Sequence, residues 1–200
     1  MSISFGPTMP SYRWMMFVDG ENLAIRAKEV ARSEKRRLEP SAHYMPDVFL
    51  WFPKRSATVC TELVGTRLHL APHSIRSIYY TAVQGDDQKR ADVEQALWDI
   101  GFNPVVFKKP AGQKAKGVDI QLTIDLLTNA FNDNYDVCVL FAGDRDYVPI
   151  IKEIQRRGKV VCLSFFVHPA GGLSTELKLA SDQFVDITSN FLIECAPLST

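Results

Sequence analysis

Two hundred residues, 46% hydrophobic and 23% charged, suffice for one globular domain with a full core and no disulfide or metal staple. Lysine plus arginine match aspartate plus glutamate at 23 each, so a nucleic-acid partner must be met by a local basic patch rather than by the field of the whole molecule. Four scattered cysteines exclude a disulfide framework or a zinc knuckle, and no apolar run reaches the ~20 residues that cross a bilayer, so a cytoplasmic protein without membrane attachment is expected.

Residues 1–12 read as an N-terminal tail. The apolar run WMMFV at 14–18, ended by Asp19 and Gly20, predicts a strand, and the charge-laced segment at 23–37 predicts a solvated helix. From Leu38 to Pro72 the pattern loosens, because Pro40, Pro46, Pro53 and Pro72 interrupt it around the aromatic cluster VFLWF at 48–52. An insertion at about 32–73 with little regular structure of its own is expected there. Next come a strand at 74–83, a helix at 85–101 with an acidic first turn and a glycine stop, and a strand at 102–109. A basic loop, PAGQKAKG at 110–117, leads into 118–131, whose length and leucine-rich second half favour a helix with Ile120, Ile124, Leu127 and Phe131 on one face. Residues 137–142 form a strand. A helix then starts near Tyr147, with Pro149 tolerated in its first turn and Gly158 as its stop, and a strand follows at 159–166. A helix at 175–180 and a strand at 184–188 complete the pattern, leaving 189–200 as a C-terminal tail. Strands that are apolar throughout and alternate with helices indicate an α/β fold, its parallel sheet covered on both faces.

In open parallel sheets, ligands bind beyond the carboxyl ends of the strands where strand order reverses. Asp19 leaves the end of the first strand, and Asp144 and Asp146 leave the end of another in the sequence Gly143-Asp144-Arg145-Asp146. Asp119 opens a helix after a glycine-containing loop that could come to the same edge, in which case four acids would converge on one crevice. Two unit charges ~4 Å apart repel by ~1 kcal/mol in water and ~4 kcal/mol at an effective dielectric of ~20. Four converging acids therefore need protons, cationic side chains or a hard divalent cation to offset them. A cation would turn the crevice to phosphate chemistry, by activating a water and stabilising phosphate charge in the transition state.

Each of these residues also has a plainer use. An aspartate after a strand commonly caps a helix or forms a turn, and Asn22 suits either a cap or a metal-bound water. Asp125 reads as an exposed helix residue. The lysines at 108, 109, 114 and 116, and the basic residues Arg32, Lys35, Arg36 and Arg37, read as solvated faces or as phosphate-guiding patches. The four histidines have no ligand spacing and receive no role.

Three blocks in order along the chain, MFVDGENL at 16–23, KGVDIQLTIDLL at 116–127 and VLFAGDRDYVPIIKEIQRRGKVV at 139–161, together resemble the NYN domain, a branch of the PIN-like metal-dependent nucleases. The resemblance covers 13–188 and implies a three-layer α/β sandwich around a mainly parallel, Rossmann-like sheet. It also implies a Mg²⁺- or Mn²⁺-dependent endoribonuclease that hydrolyses RNA phosphodiesters. Carried over residue by residue, Asp19, Asp119, Asp144 and Asp146 would be catalytic and would hold the metal, while Asn22, Lys116 and Arg145 would meet the substrate. All the expected acids are present, which argues against a silent copy. Ala142 stands where the family often has serine, Tyr147 replaces a frequent phenylalanine, and 32–73 is longer than in the compact form. DNA stays open beside RNA, as does a homo-oligomer or a protein partner. Two other classes compete. A haloacid-dehalogenase-like phosphatase would want a second aspartate where Asp19 is followed by Gly20, Glu21 and Asn22. A non-catalytic module would use the same crevice to hold RNA or a partner, with the 48–52 cluster either buried or presented as a surface.

Overall fold

The computed structural model describes residues 11–38, 43–52, 59–63, 65, 68–71, 73–110 and 117–197. The chain runs β1 (Trp14–Asp19), α1 (Gly20–Ser33), β2 (Arg36–Leu38), β3 (His43–Met45), β4 (Phe49–Trp51), β5 (Arg76–Val83), α2 (Asp87–Asp99) and β6 (Asn103–Lys108). It continues through α3 (Val118–Phe131), β7 (Val137–Phe141), a 3₁₀ turn (Arg145–Tyr147), α4 (Val148–Arg156) and β8 (Val160–Phe165). The last elements are α5 (Thr175–Ala180), β9 (Gln183–Asp186), α6 (Thr188–Ile193) and β10 (Cys195–Pro197).

Six strands pair in the order β6-β5-β1-β7-β8-β9, every neighbour parallel, as the apolar strands alternating with helices foretell. All six residues of β1 are buried because it lies inside this sheet. Its side chains alternate between faces: Trp14, Met16 and Val18 join one core, Met15 and Phe17 the other. Leu23, Ala27 and Val30 of α1, Val93 and Leu97 of α2, and Phe191 of α6 fill the first core. Leu122 and Leu126 of α3, Ile151 and Ile154 of α4, and Leu177 of α5 fill the second. The result is the three-layer α/β sandwich expected of the PIN-like architecture.

That layering positions the site. From β1 the chain turns to α1 on one face and builds outward through β5 to β6; from β7 it turns to α4 on the opposite face and builds outward through β8 to β9. Strand order therefore reverses between β1 and β7, and the crevice at their carboxyl ends is where such sheets bind ligands.

Three features depart from the sequence reading. Part of the expected C-terminal tail is folded, with Phe191 of α6 in the first core and β10 paired with β2. The buried row of α3 is Val118, Leu122, Leu126 and Ala130, whereas Ile120 is 65%, Ile124 48% and Phe131 49% exposed. This helix is apolar around most of its circumference, so periodicity alone could not choose the face that meets the sheet. The Arg157 guanidinium lies 4.2 Å from the Phe131 ring centroid and covers part of that surface. Asp125 is not an exposed bystander either: its Oδ2 accepts a 2.8 Å bond from the Tyr80 hydroxyl, and its Oδ1 accepts one from Gln121.

Between α1 and β5, the described residues contain a β3–β4 antiparallel ladder, while β2 pairs antiparallel with β10. Val48, Phe49, Leu50 and Trp51 are buried, with Trp51 edge-on to Phe102 and Phe141, so this part of the aromatic cluster is core rather than partner surface. Cys60, Cys138 and Cys162 are free thiols, and among the described residues no helix is long and apolar enough to cross a membrane.

Candidate active site

The crevice is built from the end of β1. Asp19 caps α1, its Oδ1 accepting a 3.2 Å bond from the Asn22 N–H, which is the cap role that its position after a strand suggests. Its other oxygen, Oδ2, accepts a 3.0 Å bond from the Tyr147 hydroxyl. Gly20 lets the helix start this close to the sheet, since a Cβ there would lie 1.8 Å from Cε1 of the buried Tyr79. Only 4% exposed, Asp19 has its carboxyl pushed up to about 7, first by burial and next by the charge of Asp119. The Asn22 N–H and the Tyr147 O–H pull in the opposite direction.

Asp119 sits in the first turn of α3, just after Gly117 takes φ +97, a conformation that favours glycine. Its carboxyl is pushed up by loss of solvent first and by the charge of Asp144 second. From the end of β7, Gly143 passes beneath Phe165, where a Cβ would lie 2.4 Å from the ring, and delivers Asp144. Asp144 Oδ1 accepts the Asp146 N–H at 3.1 Å and caps the 3₁₀ turn. That turn places Tyr147 inward, its hydroxyl 3.0 Å from Asp19 and 3.5 Å from Asp119. Burial, then the charges of Asp19 and Asp119, push the Tyr147 pKa well up, so its hydroxyl stays a donor.

Asp19, Glu21, Asn22, Ile25, Val118, Asp119 and Asp144 line one crevice of about 210 Å³. Three of the four expected acids thus meet. The fourth, Asp146, is exposed at the rim, where its charge reaches Asp119. Arg145 points outward, its side chain 70% exposed and its Nη2 3.9 Å from Glu176, while Lys116 lies outside the described residues. Asn22 is where the sequence placed it, and its Oδ1 is buried without a hydrogen-bond partner among the described residues. An unpaired buried amide oxygen costs roughly 1–3 kcal/mol, and this one belongs to a residue that lines the crevice.

Glu21, Tyr147 and Lys109 complete the site and were not read from the sequence as members of it. Lys109, grouped there with a basic loop, is a nearly buried cation 2.5 Å from Glu21. Glu21 was legible in principle, being an acid within the same Asp-Gly-Glu-Asn run. Among the described residues, Asp19, Asp119 and Asp144 have no ion-pair partner, and no three acidic, histidine or cysteine side chains close into a ligand set. The donors are all hard oxygens, the Asp19 and Asp119 carboxyls are both pushed up by burial and by a neighbouring acid, and the Asn22 oxygen is unused. This chemistry fits a hard divalent cation, for which the carboxylates would give up protons and draw together.

Comparison with known proteins shows the family and the fold. The NYN domain family model matches residues 13–190. Uncharacterized protein MJ0482 of Methanocaldococcus jannaschii is 27% identical over 100 residues, covering 50% of this chain and 38% of that protein. The chain thus spans well under half the length of this curated relative. A crystal structure of a protein of unknown function from Vibrio parahaemolyticus, VPA0982, superposes with a TM-score of 0.55 at 19% identity, covering 91% of this chain and 96% of that one, which shows a shared fold.

Proposed function

The chain belongs to the NYN domain family, whose members are generally nucleases, and we propose that its acidic crevice is the active site of a metal-dependent endoribonuclease. The observation that carries this reading is the meeting of Asp19, Asp119 and Asp144 with the unpartnered Asn22 Oδ1 at the strand-order reversal, without a countercharge among the described residues. Mg²⁺ or Mn²⁺ would be held by Asp19, Asp119 and Asp144, with Asp146 assisting from the rim and Asn22 orienting a ligand or water. Bound there, the ion supplies an activated water and stabilises the charge on the phosphate. Tyr147 holds Asp19 and Asp119 at fixed positions, and Lys109 neutralises Glu21 so that this fifth acid adds no net charge to the site. Ile25 and Val118 provide apolar walls. Arg145 and Lys116 complete the reading as phosphate contacts, Arg145 by leaving its long contact with Glu176.

The test compares wild type with Asp144→Asn on labelled single-stranded RNA and matched DNA, with Mn²⁺, Mg²⁺ or EDTA. Metal-dependent RNA cleavage that falls at least ~100-fold in the variant is expected, since losing a group that merely orients a metal ligand already costs ~10–100-fold. Wild-type protein that is inert in every metal and gains no thermal stability from Mn²⁺ would sink the proposal.

Tyr147→Phe separates the positioning role from the chemistry. Without the hydroxyl, Asp19 loses a bond that favours its ionised form, so its proton is held more tightly and Mn²⁺ must displace it at higher pH. Calorimetric titration is expected to show Mn²⁺ binding ~10-fold weaker at pH 7, with the deficit shrinking toward pH 9. Equal affinity at both pH values would leave Tyr147 as a packing residue only.

A further inference from the structure

A second trough opens beside the acidic crevice and shares two of its wall residues, Glu21 and Ile25. Its volume is about 440 Å³, within the ~300–1,000 Å³ of typical small-ligand sites. The carboxyl end of β5 forms one boundary with Val83 and Gln84, α1 another with Glu21 and Ile25, and the turn between β3 and β4 a third with Met45, Pro46, Asp47 and Val48. That turn is tied down at several points. The Val48 N–H bonds Met45 O, the Thr81 hydroxyl donates to Val48 O, and Lys28 pairs with Asp47 at 3.1 Å.

Charge in the trough is allotted unevenly. Glu21 is taken by Lys109 and Asp47 by Lys28, whereas Lys89, which also lines it, has no carboxylate partner among the described residues. The Lys89 backbone is held by the Asp86 side chain, which accepts its N–H at 2.9 Å. Gly85, at φ +147, lies under the Lys89 stem: a Cβ on it would come 2.8 Å from Lys89 Cβ and 3.0 Å from Cγ. The stem is thereby laid over the loop that ends β5. One unpaired cation, an amide that both donates and accepts, and aliphatic walls from Ile25, Met45, Val48 and Val83 match the parts of a nucleotide: phosphate, base edge and base face.

Resting on the nuclease reading above, we infer that this trough is the subsite for the nucleotide next to the scissile phosphate, with that nucleotide's outer phosphate on Lys89. Substrate would then cross Glu21 and Ile25 on its way from the acids to the trough. The neutralising Glu21–Lys109 pair lets the strand pass there without meeting a bare carboxylate.

The experiment measures binding of a short fluorescein-labelled single-stranded RNA to Asp144→Asn protein over a range of salt, and steady-state cleavage in the otherwise wild-type chain. Lys89→Ala is expected to weaken binding about 3–10-fold and to lower the slope of log affinity against log salt by ~0.7, the loss of one phosphate contact on a single strand. Cleavage should show a raised KM with kcat unchanged, and Lys89→Arg should restore binding. Arg90→Ala, one residue along the same helix but with its guanidinium 2.8 Å from Glu94, serves as the control and should change neither quantity. RNA cleavage with the same KM and salt slope in Lys89→Ala as in Arg90→Ala overturns the subsite and leaves the nuclease reading intact. Wild-type protein that neither binds nor cuts RNA overturns both.

Discussion

Asp19→Asn is expected to abolish cleavage and yet to raise the melting temperature of the metal-free protein at pH 8. Burial and the nearby Asp119 charge push the Asp19 carboxyl up from 3.8 to about 7, so the folded protein holds a proton that the unfolded chain has already released. Between about pH 4 and pH 7 the folded state binds more protons than the unfolded state, and stability therefore falls as pH rises through that window. Above it the penalty is constant. A rise from 3.8 to about 7 corresponds to an upper bound of ~4 kcal/mol. Asparagine keeps the shape and removes the charge, but its one amide oxygen accepts either the Asn22 N–H or the Tyr147 O–H and not both, so a smaller net gain of ~1–2 kcal/mol, or roughly 2–8 °C, is expected at pH 8. At pH 4, where wild-type Asp19 is protonated when folded, the difference should nearly vanish. Adding Mn²⁺ should reverse the ranking, because it stabilises only a protein that binds it. Thermal melts of both proteins at pH 4 and pH 8, with and without Mn²⁺, check all three statements. A variant less stable than wild type at pH 8 without metal would mean that Asp19 is a structural cap whose charge the fold requires.

The legible part of this molecule is the part governed by local chemistry. Val137 to Phe141 could only be an inner strand, and the glycine and aspartate after it could only be a turn at its carboxyl end, so Asp144 was placed by its neighbours alone. The same holds for Asp19 after β1. Asp119 needed more: its helix start is set by Gly117, but nothing local says that α3 crosses beneath the sheet to bring it opposite Asp19. Tyr147 shows the limit clearly. Its position after the Gly-Asp-Arg-Asp run was visible, whereas the partner of its hydroxyl lies 128 residues earlier in the chain. Lys109 was grouped with its basic neighbours because sequence shows charge density but not which charge turns inward to meet Glu21. The face of α3 was missed for a related reason: two apolar rows compete on that helix, and the choice between them is made by the shape of the sheet.

Gly20→Ala should be the most disruptive single-methyl change near the site, and it tests whether the fold itself aims the acids. The added Cβ would lie 1.8 Å from Tyr79 Cε1 and 2.6 Å from Cδ1 and Cζ, far inside any tolerable contact. Tyr79 cannot easily swing aside, because it is fully buried and its hydroxyl both donates to Leu50 O at 3.0 Å and accepts from Leu50 N at 2.9 Å. Relief must come from lifting the start of α1 off the sheet. Overpacking of this kind costs ~1–3 kcal/mol and more where the neighbours are pinned, so a loss of ~3 kcal/mol or above, roughly 6–12 °C in melting temperature, is expected. The lifted segment carries Asp19 and Asn22 on either side of Gly20, so surviving folded protein should also lose Mn²⁺ affinity. Gly158→Ala is the control: that glycine has φ +74 and nothing near its Cβ, which limits the effect to backbone strain of about 1 kcal/mol. Tyr79→Ala opens the space that the methyl needs, and Gly20→Ala combined with it should be less destabilised than the sum of the single changes by ~1–3 kcal/mol. Strict additivity in that cycle would show that the methyl and the ring never meet, and that α1 is seated over the acids by contacts elsewhere along its length.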